Sequence, residues 1–180
     1  MGTSPKDKIR EVRELCDRRA WPDVLAFARK WHTEMPAEAK ALFYQGVAFA
    51  AMGRFVEAET GYRRALKLDQ TDFMVWNNLA ALLFDVLNRA PEGAQCLAQA
   101  LKLDPGNKLG WANLASMNGQ LGRHREAMEC AERALTLDPQ MVEAQLHRAR
   151  AAQILGNAEI VRAASEALSR VPSEQFRRSR

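Results

Sequence analysis

The feature that most constrains this chain is that it repeats itself. The string "ALKLD" begins at Ala65 and again at Ala100, and "ALTLD" begins at Ala134, so the phrase returns after 35 and then 34 residues. The same ruler carries Pro36, Gln70, Pro105, Pro139 and Pro172 as one series. Gly53, Gly122 and Gly156 fall between them, with Asn88 in the matching place of the remaining repeat. Five repeats of this size account for nearly all of the 180 residues. A period of this length marks a chain in which each repeat is one small supersecondary piece that covers its apolar face only by stacking on its neighbours.

Each repeat has the same internal logic. A first segment such as "AEAKALFYQGVAFAAMG" carries apolar residues at helical spacing and stops at Gly53; a second, "RFVEAETGYRRALKLD", is again helical by period and stops near Pro or its substitute. Gly just past a helix end supplies a left-handed cap, and Pro cannot continue a helix. Pro22 and Pro91 instead fall in the first turns of second helices, where the missing N–H costs nothing. No segment shows sustained two-residue alternation or β-branched enrichment, so no strand is expected. The expectation is ten helices in five antiparallel pairs. The repeats run at about 5–38, 39–72, 73–107, 108–141 and 142–174 of a single solenoid domain over residues 1–175, with a basic tail at 176–180.

Composition excludes several other classes. With 47% hydrophobic and 27% charged residues the chain is ordinary for a folded globular protein, and no apolar run approaches the ~18 residues that span a bilayer. The start, "MGTSPKDKIREVRE", is charged and has no apolar centre, so it does not read as a signal peptide, and Lys6 breaks the myristoylation pattern. Cys16, Cys96 and Cys130 are too few and too scattered for a disulfide framework and favour a reducing, cytoplasmic setting. A periplasmic setting stays open if "MGTS" replaces a native targeting segment. The net charge of +4 is mild and interspersed, and the terminal "RRSR" reads as a solvated tail rather than a nucleic-acid contact.

Residues that carry chemistry are thinly spread. His32, His124 and His147 lie in different repeats without metal-ligand or nucleophile spacing, and His124 reads as a surface residue at the start of a second helix. Cys96 and Cys130 hold the same place in consecutive repeats, on helices whose axes would lie ~8–10 Å apart, too far for easy bridging. There is no Gly-rich phosphate loop, and Glu126, Glu129 and Glu132 alternate with arginines as ordinary surface charge. No catalytic residue, metal ligand or cofactor emerges, and the chain does not read as an enzyme.

The repeat itself is specific. Trp111, Leu114, Ala115, Gly122, Ala127, Ala134 and Pro139 in the fourth repeat, and Gly46, Phe49, Gly53, Ala58, Tyr62 and Ala65 in the second, fall at the spacing of the tetratricopeptide repeat. The third keeps Leu79, Ala80, Ala100 and Pro105; there Trp76 stands one residue early and the mid-repeat turn holds one extra residue. The first repeat lacks the central Gly, and the last has Gln145 and Arg148 where Trp and Leu are usual, as suits polar end caps. The chain thus resembles the tetratricopeptide-repeat family. That resemblance implies an all-α, right-handed superhelix of about five helical hairpins, whose first helices line a concave groove.

The resemblance also implies a function, that of a protein–protein interaction adaptor or scaffold binding a peptide segment of a partner in that groove. The place before the signature Leu holds Tyr44, Asn78, Asn113 and His147 in successive repeats. Two consecutive Asn resemble the asparagine ladder of family members that hold extended peptides, an amide offering both donor and acceptor to a backbone. Neighbouring groove places are Phe43, Val47, Met74 and Phe84, then Asn77, Ser116 and Gln120, then Arg150 and Gln153, an apolar-to-polar gradient. Packing between helices is the competing role for the apolar ones. The Lys and Arg of a two-carboxylate clamp are missing, their places held by residues such as Phe43, Leu109, Glu143 and His147. Two alternatives remain open: a self-assembling structural scaffold, and the interaction region of a larger enzyme. The partner expected is a protein or peptide, with no nucleic acid and no membrane insertion, and the chain is expected as a monomer or weak homodimer. Far-ultraviolet circular dichroism should report roughly 70% helix or more, and a clear β contribution would contradict the repeat reading.

Overall fold

A computed structural model describes residues 4–169. The basic tail expected at 176–180 and the last member of the proline series, Pro172, lie outside the described residues. Among the described residues there are ten α-helices and no strand. They are α1 (Pro5–Asp17) with α2 (Trp21–Glu34), α3 (Ala39–Ala51) with α4 (Phe55–Leu68), and α5 (Phe73–Ala81), which continues into a π turn (Leu82–Val86) before α6 (Ala90–Leu103). Then come α7 (Lys108–Gln120) with α8 (His124–Leu137), and α9 (Val142–Ile154) with α10 (Ala158–Ser169). The chain divides into two compact units, Met1–Asn88 and Arg89–Arg180, and the division falls inside the third repeat. The fold is an all-α solenoid of helical hairpins.

Three of the turns are built by one device. At Gly53, Gly122 and Gly156 the backbone takes φ of 75°, 73° and 74°. The next N–H then bonds five residues back: Arg54 to the Phe49 carbonyl (2.8 Å), Arg123 to Asn118 (2.9 Å) and Asn157 to Ala152 (2.8 Å). These bonds close the open carbonyls of each helix end, and the left-handed residue between them has no Cβ to clash. The first repeat makes the same bond, Ala20 N–H to Leu15 (3.1 Å), around Arg19 at φ 55°, so a bulky side chain bears the strain there.

The extra residue of the third repeat is absorbed before its turn. Leu87 N–H bonds the Leu82 carbonyl five residues back (3.1 Å), where Met52 and Leu121 bond four back to Ala48 and Met117. One added residue thus widens a single helical turn to π geometry, and Asn88, tolerant of φ 52°, ends it. This corrects the expectation that Trp76 stands early: it is the fourth residue of its helix, as Trp111 is of α7. Both indoles make the same bond, Trp76 Nε1 to the Gln70 carbonyl and Trp111 Nε1 to the Pro105 carbonyl, each 2.9 Å. Gln145, which breaks the sequence pattern, holds the same place in α9 and donates Nε2 to the Pro139 carbonyl at 3.3 Å. It keeps the bond and gives up the ring.

Small residues set the distance between helices. A Cβ added at Gly61 of α4 would lie 3.0 Å from the backbone of Gly46 in α3, and one at Gly46 would lie 2.7 Å from the ring of Tyr62. The two helices meet backbone to backbone, and Tyr62, 2% exposed, caps the contact. Burial pushes its phenol well above the ordinary value. Around it Trp31, fully buried, stacks on Tyr44 (centroids 6.4 Å, 27°), and Tyr44 meets Phe43 edge-on at 5.1 Å. In the second compact unit Ala112, Ala134 and Ala144 bring helices together around Leu135 and Met141, with Trp111 packed against them. Ion pairs pin some joints: Lys8 with Glu34 (2.5 Å), Lys40 with Asp72 (2.6 Å) and Lys108 with Asp138 (2.7 Å).

Two substitutions test this account by denaturant unfolding. Gly46→Ala should lower stability by about 1–3 kcal/mol, the cost of forcing a methyl group into a filled contact. Arg19→Gly should raise it by about 0.5–1 kcal/mol, because relief of the left-handed strain exceeds the entropy that Gly adds to the unfolded chain.

Candidate functional site

The first helices of the repeats carry the expected site, and the structure sorts its residues by exposure. The sixth helical position holds Tyr44 in α3, Asn78 in α5, Asn113 in α7 and His147 in α9. In the first compact unit Phe43 and Tyr44 are 5% and 7% exposed, and their rings belong to the aromatic cluster around Trp31. Tyr44 Oη accepts from Arg13 Nε at 3.4 Å. These two rings are committed to packing and present little surface to a ligand. Val47, Asn77, Asn78 and Phe84 are half-buried, and Met74 is exposed. Asn78 Nδ2 donates to the Met74 carbonyl one turn back (2.8 Å). An amide has a second N–H and an acceptor oxygen, so this bond orients the side chain without exhausting it.

In the second compact unit Asn113 is exposed, and four other expected residues converge. Ser116 and Gln120 of α7, with His147 and Arg150 of α9, line one recess of about 50 Å³ together with Ala115, Gly119, Ala127, Ala151 and His124. Ser116 and Arg150 sit at the same helical position on these two first helices, which explains their meeting. His124 is the residue that sequence reasoning placed elsewhere. It is half-buried at the first position of α8, and it lines the recess. No spacing in the sequence signals this, since the contact depends on how the second helix folds back.

The electrostatics of the recess are one-sided. None of its lining residues is acidic, and Arg150 is exposed. Burial first, and then the Arg150 charge, hold the His147 imidazole below its ordinary value, with Glu143 one turn away opposing. Cys96 and Cys130 are buried thiols, and burial pushes Cys130 up to about 11. Gln153 is exposed and does not line the recess. Among the described residues no group of three His, Cys, Asp or Glu is placed to hold a metal ion, and no helix is long and apolar enough to cross a membrane.

Comparison with known proteins agrees with this architecture. Residues 39–72 and 110–141 each match the tetratricopeptide repeat. The chain contains tetratricopeptide repeats at these two places. No curated protein matches its sequence. Among solved structures it is similar to MamA, 41-end, from Desulfovibrio magneticus RS-1, with a TM-score of 0.77, 19% identity, and 100% of this chain and 98% of that one covered. It is also similar to YrrB, a TPR protein with an unusual peptide-binding site (TM-score 0.76, 18% identity, 91% and 82% covered). A third likeness is to the first TPR of Spaghetti (RPAP3) bound to the HSP90 peptide SRMEEVD (TM-score 0.59, 22% identity, 66% and 94% covered). At these identities the likeness is one of fold.

The charge pattern at the recess can be measured directly. In an NMR titration His147 should protonate with a midpoint below ~6.5, the ordinary imidazole value. Replacing Arg150 by Gln should raise that midpoint, because removing a neighbouring positive charge favours the imidazolium.

Proposed function

We propose that the chain is a protein-interaction module that holds an extended peptide segment of a partner protein along the faces of its first helices. One observation carries the reading. Asn78 and Asn113 stand at the sixth position of α5 and α7, and both reach solvent. An amide at a repeated position pairs with the repeated N–H and C=O of an extended backbone, so it grips a segment without demanding particular side chains. The fold supports this, since YrrB and the Spaghetti repeat, which share it, are described with a peptide-binding site and a bound peptide. Phe43 and Tyr44 support the surface from beneath, while Met74, Asn77, Asn78 and Phe84 in one compact unit and Asn113, Ser116, Gln120, His147 and Arg150 in the other offer contacts. The proposed role is binding rather than catalysis.

The test is a double substitution, Asn78→Ala with Asn113→Ala, assayed against a partner captured by the wild-type protein. Each lost contact is worth about 0.5–1.5 kcal/mol net, so affinity should fall roughly tenfold or more. The unfolding midpoint should change little, since both side chains reach solvent. Binding equal to wild type would overturn the reading, and an unfolded variant would make the two Asn structural.

A further inference from the structure

We infer that the recess between α7, α8 and α9 is a subsite for an acidic side chain of the bound peptide. This rests on the peptide-binding reading and adds the chemistry of one of its contacts. The recess is open because small residues build it: Ala115, Gly119, Ala127 and Ala151 leave its floor unfilled, and a Cβ added at Gly119 would meet nothing within 4 Å. Its polar groups are Ser116, Gln120, His124, His147 and Arg150. They supply hydroxyl, amide, imidazole and guanidinium donors and one full positive charge, with no carboxylate among them to answer it.

A recess of about 50 Å³ has room for a carboxylate. An Asp or Glu side chain on a peptide passing Asn113 would place its oxygens where Arg150 makes a charge-assisted bond, stronger than a neutral one. Partial burial of His147 shows that solvent there is already reduced, which strengthens such a bond further. Charge complementarity therefore selects the occupant. The subsite differs from a clamp for a chain-terminal carboxylate because one of its walls comes from a second helix, through His124.

The experiment is an NMR titration of the ¹⁵N-labelled full chain with a capped pentapeptide, acetyl-Gly-Gly-Glu-Gly-Gly-amide. Its Gln counterpart and sodium acetate are the comparison arms. The acidic peptide should shift Ser116, Gln120, His147 and Arg150, with affinity about tenfold above the Gln peptide. Arg150→Gln should remove that preference, and Gly119→Leu, which fills the open space, should abolish the shifts while leaving the fold intact. The inference is overturned if both peptides shift the recess equally, if neither does, or if acetate binds as tightly as the acidic peptide. The double Asn test uses residues outside the recess and a captured partner, so the peptide-binding reading stands or falls separately.

Discussion

A helical hairpin of this size exposes more apolar surface than it can cover, so everything in this protein depends on how closely one helix can approach the next. Within the first compact unit that approach is set by Gly46 against Gly61, where α3 and α4 touch through their backbones and Tyr62 seals the contact. Within the second it is set by alanines, Ala112, Ala134 and Ala144, with Leu135 and Met141 filling between them. Dispersion and burial both fall away steeply with distance, so a methyl group at Gly46 disturbs a whole joint.

The joints would mean little if the helices drifted in register. The structure keeps register by preserving bonds to backbone carbonyls while changing the residues that make them. Trp76, Trp111 and Gln145 donate to the carbonyl six residues back, although one of the three is an amide rather than an indole. Arg19 and Asn88 take the left-handed turn that Gly takes elsewhere. The π turn absorbs one surplus residue before Asn88. The solenoid thus tolerates substitution and insertion where the hydrogen-bond pattern survives.

A constant register lets the chain vary one position and change its chemistry from repeat to repeat. Tyr44 is drawn into the aromatic core; Asn78 is half-buried and oriented by Met74; Asn113 is exposed; His147 turns into a recess beside Arg150. The same place serves packing at Tyr44 and, in the proposed function, backbone recognition at Asn78 and Asn113 and charge recognition at His147. The functional proposal and the acidic subsite both rest on that progression.

Period and turn chemistry are local, so the sequence alone determined the ten helices and the Gly-terminated turns. It also assigned which helix of each pair carries the candidate surface, through the spacing of Tyr44, Asn78, Asn113 and His147. Burial depends on neighbours far along the chain, and only the tertiary structure decided it. Phe43 and Tyr44 have the composition of a binding wall, but Trp31 and Tyr62 enclose them. The extra residue of the third repeat was visible as a count, yet whether a loop or a helix would absorb it depended on the energy of one widened turn. His124 carried no signal, because a residue on a second helix meets His147 and Arg150 only after the hairpins have stacked.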